Sequence, residues 1–181
     1  NVKPGDHVFL VDASNFVFRA YFQSIRQDQK YNYRSDRLPT GAVRLFCTKL
    51  FQFIREGAAG IKPTHLAIIF DKSEVTFRNA LYPDYKAHRP PAPDDLIPQF
   101  ALIREAVRAF DLPCLEQAGF EADDLIATYV RQACELGATA TIVSSDKDLM
   151  QLVTDCVVMY DTMKDRRIGV PEVIEKFGVP P

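Results

Sequence analysis

Acidic side chains recur in this sequence just after short apolar runs. Asp12 follows the apolar run 8–11, and Asp71 follows the run 66–70. A third run is followed by two serines and then two acids, and a fourth acidic cluster stands where a helix is predicted to begin. The set of candidate metal ligands is Asp12, Asp71, Glu121, Asp123, Asp124, Asp146 and Asp148.

Carboxylates gathered in one cleft need compensation, because like charges about 4 Å apart repel by about 1 kcal/mol in water and by several times more near a protein surface. Raised pKa values or bound cations relieve that repulsion. A set that offers only oxygen ligands favours Mg²⁺ or Mn²⁺ over zinc. Two such ions about 3.5–4 Å apart are the usual clamp for phosphoryl transfer.

The elements predicted around these acids would bring them to one place. Four continuous apolar or β-branched runs, at residues 8–11, 66–70, 139–143 and 157–160, are typical of strands buried on both faces of a parallel sheet. Helical periodicity is clear in residues 41–56, 95–110 and 122–135, with Gly137 as the C-terminal cap of the last. This alternation predicts an α/β sandwich, and ligands bind outside the carboxyl ends of its strands.

Each acidic cluster also has an ordinary structural explanation. An aspartate at a strand end is most often a turn or cap residue, and acids in the first turn of a helix complement its dipole. The convergence of all four clusters on one predicted sheet edge favours the metal-site interpretation.

The distribution of charge along the chain says more about function than the overall composition does. The 181 residues are expected to form one domain, and a net charge of −2 alone would argue against nucleic-acid binding. Setting the seven acids aside changes the net charge from −2 to +5. Four scattered cysteines predict reduced, mostly buried thiols. No apolar stretch approaches the roughly 18 residues of a membrane span, so no membrane association is expected.

Two long segments fall outside the alternation. Residues 23–39 are polar and predict a surface loop. Residues 72–93 lack a clear period and interleave basic with aromatic side chains, a composition that suits a phosphodiester backbone with stacked bases. A connection of this length is usually functional or mobile.

Seven short motifs in this order resemble the 5′-nuclease family of the flap endonuclease superfamily, whose members include the 5′-3′ exonuclease domain of bacterial DNA polymerase I. The motifs are Val11-Asp12-Ala13-Ser14-Asn15, Pro39-Thr40-Gly41-Ala42, Phe70-Asp71-Lys72, Phe77-Arg78, Tyr82-Pro83-Asp84-Tyr85-Lys86-Ala87-His88-Arg89-Pro90-Pro91, Gly119-Phe120-Glu121-Ala122-Asp123-Asp124 and Ser145-Asp146-Lys147-Asp148. The resemblance covers almost the whole chain. It implies a PIN-like three-layer sandwich with a mostly parallel central sheet. It also matches residues 72–93 to the arch or clamp of the family, and we call these residues the arch segment.

The resemblance also implies roles for individual residues. The acids matching one metal site are Asp12, Asp71, Glu121 and Asp123, and those matching the second are Asp124, Asp146 and Asp148. The implied catalytic residues are Asp12, Asp71, Lys86, Arg89 and Arg19, and the implied DNA contacts are Arg19, Arg78, Tyr85, Lys86 and Arg89. The implied reaction is Mg²⁺- or Mn²⁺-dependent hydrolysis of a phosphodiester near a 5′ end.

The implied partners are DNA with a 5′ flap or 5′ end and DNA/RNA primer junctions. The resemblance further implies a monomer that acts in replication and repair and is associated with the nucleoid in the bacterial cytoplasm. The chain ends at Pro181, before the Gly-Asp-x-x-Asp-Asn segment and helix–hairpin–helix of the family. We therefore expect either a truncated nuclease core or a shortened relative, with the second metal site and duplex binding left open.

The main alternative is a catalytically impaired nucleic-acid-binding fragment of the same fold. A phosphatase of the haloacid dehalogenase type would need Asp-x-Asp where this chain has Asp12-Ala13-Ser14, and a receiver domain would need no basic arch segment.

Overall fold

A computed structural model describes residues 1–72 and 76–181. Its strands are β1 (His7–Asp12), β2 (His65–Ile69), β3 (Cys114–Leu115), β4 (Thr139–Val143), β5 (Val157–Asp161) and β6 (Arg166–Ile168). Its α-helices are α1 (Ala13–Ser24), α2 (Gly41–Glu56), α3 (Phe77–Leu81), α4 (Ile97–Ala109), α5 (Ala122–Glu135) and α6 (Val170–Phe177). Short 3₁₀ helices occupy Gln29–Tyr31 and Lys147–Leu152.

The strands form one mostly parallel sheet in the order β3-β2-β1-β4-β5-β6. All neighbouring pairs are parallel except β5 and β6, which are antiparallel. The chain leaves β1 for β2 on one side and later returns to β4 on the other. The carboxyl ends of β1 and β4 therefore flank the point where the direction of winding reverses, which is where ligands bind in open α/β sheets.

Alternate residues of the central strands supply two separate cores. Phe9 and Val11 pack on one face of the sheet with side chains from α1, α2 and α4. Val8 and Leu10 pack on the other face with α5, and Val173 of α6 joins the same cluster. Because successive side chains of a strand point to opposite faces, the continuous apolar runs are what a sheet between two helical layers requires. The predicted three-layer sandwich is confirmed.

Most predicted elements are confirmed, with α2 and α5 at their predicted bounds and α4 two residues shorter at its start. Gly137 has a φ of +76° and donates to the Cys134 carbonyl, so it caps α5 as predicted. Much of the predicted loop 23–39 is irregular. The prediction that the arch segment lacks regular structure is wrong at α3, where the Asn79 side chain accepts from the Thr76 amide and caps the helix. Residues 73–75 of that segment lie outside the described part.

The prediction that all four cysteines are reduced is wrong for two of them, since Cys134 and Cys156 form a disulfide. The end of α5 returns to the amino-terminal edge of the sheet, where β5 begins, and this places the two Cα atoms 6.2 Å apart. A spacing of 22 residues gives no hint of that meeting. Cys47 and Cys114 are free and half-buried, and burial raises the pKa of both thiols.

Within the described ranges, no helix combines the length and apolar character needed to cross a membrane.

Phe46 is expected to be a major contributor to stability. Its side chain is fully buried and its ring lies 5.1 Å from that of Phe16, centroid to centroid. Phe46→Ala should lower the free energy of unfolding by about 3–5 kcal/mol, because it removes buried apolar area and leaves a cavity. Phe51 of the same helix is 50% exposed, so Phe51→Ala is the matched control. Equal urea midpoints for the two variants would contradict this packing.

Candidate metal centre

Three of the predicted acids meet at the carboxyl edge of the sheet. One carboxylate oxygen from each of Asp12, Asp123 and Asp146 lies within 4.8 Å of the others. They come from the end of β1, the first turn of α5 and the segment that follows β4. We call these residues the three-acid cluster. A set of hard oxygen donors at this spacing can hold a divalent metal ion.

Asp12 is held rigidly at the bottom of this cluster. Its side chain is 4% exposed and accepts hydrogen bonds from Ser144 Oγ at 2.8 Å and from the Asn15 amide at 3.4 Å. The second of these bonds caps the amino terminus of α1. Burial raises the pKa of Asp12 to about 6, despite the two hydrogen bonds that favour the ionised form.

Asp123 carries the larger electrostatic penalty. Burial raises its pKa to about 7, and the negative charges of Asp12, Asp146, Asp71 and Glu121 act in the same direction. None of the ion pairs formed by the residues the structure describes includes a member of the three-acid cluster. A bound cation would therefore relieve a charge that the described side chains leave uncompensated.

Asp71 lies beside the three-acid cluster and serves as a structural link. Its carboxylate accepts from Ser14 Oγ and from the Ala122 amide, both at 2.7 Å. It thereby joins the first turns of α1 and α5. Arg104 donates to its backbone carbonyl at 2.9 Å and also pairs with Glu116. Asp71 still contributes charge to the site, since it raises the pKa values of Asp12 and Asp123.

The remaining acids at the start of α5 contact the arch segment. Lys86 Nζ lies 2.5 Å from Glu121 Oε1, and the Tyr85 hydroxyl donates to Glu121 Oε2 at 3.2 Å. Arg78 binds Asp124 through two hydrogen bonds of 2.7 and 2.8 Å. The Arg78 guanidinium holds the pKa of Asp124 below its usual range.

Asp148 and Arg89 lie outside these contacts. The Asp148 amide donates to Asp146 Oδ1 at 2.9 Å, while its side chain is exposed. Arg89 is exposed, and its backbone amide donates to the Lys86 carbonyl.

Arg19 lies close to the three-acid cluster through its contact with Ser145. Its guanidinium donates to Ser145 Oγ at 2.9 and 3.1 Å, one residue before Asp146. It also lines an open cavity of about 660 Å³ between α1 and α2, together with Arg26 and Lys49. Its place near the reacting phosphate stays a prediction.

Residues 7–178 match the family described as 5′-3′ exonuclease, N-terminal resolvase-like domain. The chain belongs to this family. It is 58% identical to DNA polymerase I of Rhizobium leguminosarum over 183 residues, which cover 99% of this chain and 18% of that protein. It is 36% identical to a 5′-3′ exonuclease of Aquifex aeolicus (strain VF5) over 174 residues, which cover 96% of this chain and 57% of that protein.

The 5′-3′ exonuclease family fold is confirmed by structural comparison. The chain superposes on a bacteriophage T5 flap endonuclease, solved as a pseudo-enzyme-product complex with DNA and metal ions, with a TM-score of 0.67 at 20% identity. The match covers 96% of this chain and 61% of the phage protein. The chain spans only part of the curated relatives it matches. It covers about a fifth of the Rhizobium leguminosarum polymerase and about three fifths of the Aquifex aeolicus exonuclease.

Sequence reasoning missed the residues that hold the acids of this family member in place. Four groups donate to oxygens of Asp12 or Asp71: the Ser14 hydroxyl, the Ser144 hydroxyl, the Asn15 backbone amide and the Arg104 guanidinium. Only the Asn15 contact had a signal in the sequence, because an aspartate at a strand end is a common helix cap. No comparable signal marks Arg104, which is 33 residues from Asp71.

Proposed function

We propose that this domain is a divalent-metal-dependent 5′-3′ exonuclease and flap endonuclease, acting on DNA or RNA-primer phosphodiesters near a 5′ end as part of a DNA polymerase I. The observation that carries the proposal is the uncompensated three-acid cluster at the sheet edge, with the basic side chains of Arg19 and Lys86 held on neighbouring residues. Membership in the 5′-3′ exonuclease family supports the same conclusion.

In this proposal the acids of the cluster bind the metal ion and a neighbouring serine orients one of them. Asp12, Asp123 and Asp146 would hold a Mg²⁺ or Mn²⁺ ion, and Ser144 fixes the orientation of Asp12. When bound, such an ion polarises the phosphate and lowers the pKa of its water ligand. The raised pKa values of Asp12 and Asp123 mean that both bind protons near neutral pH, so ion and proton compete for the same oxygens.

In this proposal the basic side chains bind the substrate backbone. Arg19 reaches the site from α1, and Arg89 is exposed on the arch segment. Lys86 is paired with Glu121, so a phosphate group would replace one anionic partner by another. Tyr85 contacts the same Glu121 carboxylate, and in this proposal it stacks on a base or hydrogen-bonds to the DNA. The ligands we propose are 5′-flap DNA, free 5′ ends and DNA/RNA primer junctions, bound by a monomer in the nucleoid region of the bacterial cytoplasm.

A cleavage assay with two end labels tests this proposal. The chain is incubated with a flap substrate labelled at the 5′ end or at the 3′ end, in Mg²⁺, in Mn²⁺ and in EDTA. Short 5′-labelled products should appear only with a divalent ion, at a rate that far exceeds the EDTA background. Release of label from the 3′ end alone, or equal cleavage in EDTA, would contradict the proposed polarity or metal dependence.

A second candidate is DNA binding without turnover. It is favoured by the contacts that Arg78, Tyr85 and Lys86 make with two predicted metal ligands, Glu121 and Asp124. Flap binding in Ca²⁺, together with no cleavage in Mg²⁺ or Mn²⁺, would select this candidate.

A further inference from the structure

Asp123 and Asp124 are neighbours in sequence but face different partners. Successive residues of an α-helix point about 100° apart, so Asp123 and Asp124 leave α5 in different directions. Asp123 supplies an oxygen to the three-acid cluster. Asp124 faces α3 of the arch segment, where Arg78 lies.

The two oxygens of Asp124 accept three hydrogen bonds from within the domain. Oδ1 accepts from Arg78 at 2.7 Å, and Oδ2 accepts from Arg78 at 2.8 Å and from the Glu121 amide at 2.9 Å. A two-point contact between arginine and carboxylate is the strongest and most directional form of this ion pair. Both side chains are partly buried, with 30% of Arg78 and 22% of Asp124 exposed, so the pair is shielded from solvent more than a surface pair is.

Backbone contacts beside this pair dock the same part of the arch segment onto the loop before α5. Thr76 forms a parallel bridge with Gly119, and the Phe77 amide donates to the Gly119 carbonyl at 3.0 Å. The rings of Phe77 and Phe120 lie 5.8 Å apart. The pair therefore closes an interface that has its own backbone and aromatic contacts.

The interface extends to the residues proposed to bind DNA. Asn79, one residue after Arg78, donates from its side chain to the Tyr85 carbonyl at 3.2 Å. Tyr85 and Lys86 in turn contact Glu121. A displacement of α3 would thus move the two side chains that contact Glu121 at the start of α5.

We propose that Arg78 and Asp124 form a positioning pair that anchors the arch segment to α5, and that the Asp124 carboxylate serves the arch segment in place of a metal ion. This inference rests on the proposed function in one respect, because it assumes that the arch segment binds 5′-flap DNA. It reassigns Asp124, which the family resemblance places in the second metal site.

Metal titration separates the two roles. Mn²⁺ binding is measured by calorimetry on the unmodified chain, on Asp124→Asn and on Asp123→Asn. Asp124→Asn should keep the stoichiometry and an affinity within about threefold of the unmodified chain, since its carboxylate is directed at Arg78. Asp123→Asn should weaken binding by about 100-fold or more, since it removes a ligand of the cluster.

A double-mutant cycle tests the anchoring. Arg78→Gln and Asp124→Asn should each weaken 5′-flap binding in Ca²⁺ by about tenfold, and the double variant should lose little more, because both remove the same contact. The charge-swapped protein with Arg78→Asp and Asp124→Arg should recover part of the loss. Arg131→Gln and Glu135→Gln, in an exposed ion pair on the far part of α5, are the matched controls and should leave binding unchanged.

Amide hydrogen exchange measures the anchoring of the arch segment without DNA and without catalytic turnover. Amide exchange across residues 77–89 should accelerate about threefold or more in Arg78→Gln and Asp124→Asn but not in the controls, because the anchor of α3 is lost. Loss of a bound Mn²⁺ in Asp124→Asn, or additive effects of the two substitutions, would overturn the proposal. Absence of cleavage by the unmodified chain would contradict the proposed function alone, since the metal count and the exchange rates would still decide the role of Asp124.

Discussion

Asp123→Asn is expected to reduce metal-dependent flap cleavage by at least about 10³-fold. The substitution keeps the size of the side chain but removes one of the three anionic oxygens that meet at the sheet edge. A bound divalent ion supplies several kcal/mol of transition-state stabilisation, and each 1.4 kcal/mol corresponds to about tenfold in rate. Initial rates on a 5′-labelled flap in Mg²⁺ and Mn²⁺ measure the effect.

The matched control for this substitution is Asp155→Asn. Asp155 is exposed and lies just before β5, at the opposite edge of the sheet from the metal centre. The control should cleave at the rate of the unmodified chain. If Asp123→Asn retained more than about a tenth of the activity, the three-acid cluster would not be the centre of catalysis.

The placement of the metal centre follows from features that a sequence does record. Apolar runs that end in aspartate predict parallel strands whose carboxyl ends carry the acids, and the structure brings Asp12 and Asp146 together at that edge. The start of α5 was predictable for a similar reason, because a helix that begins at the same edge directs its first turn towards the site. Asp123 joins the cluster by that route.

The division of labour among the remaining acids depends on partners that are distant in sequence. Asp71 accepts from Ser14 and the Ala122 amide, which are 57 and 51 residues away. Asp124 is paired with Arg78, which is 46 residues away. Charge and spacing predict a group of carboxylates, but they do not show which side chains those carboxylates contact once the chain folds.

Helix α1 illustrates a different limit. Its amino terminus is capped by Asp12, the same residue that ends β1 and joins the three-acid cluster. Strand, cap and candidate ligand thus coincide in one residue with no linker between β1 and α1. Turn residues normally separate a strand from a helix in sequence, and none stands between Asp12 and Ala13. The sequence pattern therefore did not predict the start of α1.

The same Asp123→Asn variant should be more stable than the unmodified chain when metal is removed. The pKa of Asp123 is raised to about 7 by burial and by neighbouring acids, from an ordinary value of 3.8. Between these two pH values the folded chain retains a proton that the unfolded chain has released, so the free energy of unfolding falls as pH rises. The variant lacks this loss and should gain about 2–4 kcal/mol at pH 7.5 in EDTA, at about 1.4 kcal/mol per pKa unit.

Comparing the two proteins across pH isolates this contribution from other groups. His7 has a pKa lowered by burial, so its own effect has the opposite sign: stability is lost as pH falls through the ordinary histidine pKa. That effect is common to both proteins and cancels in the difference. Urea unfolding at pH 5 and pH 7.5 in EDTA should therefore show a difference in unfolding free energy that is much larger at pH 7.5.

Bound metal should offset most of this difference in stability. An ion present at 100 times its Kd adds about 2.7 kcal/mol to a chain that binds it only when folded. At pH 7.5 the unmodified chain should gain this amount in Mg²⁺ or Mn²⁺, while Asp123→Asn should gain far less because it lacks one of the three meeting carboxylates. A stability difference that did not change with pH, or an equal metal-induced gain in both proteins, would mean that the acids at this edge do not repel one another and do not share an ion. The repulsion that destabilises the metal-free domain is thus the same electrostatic feature that would draw the ion into the site.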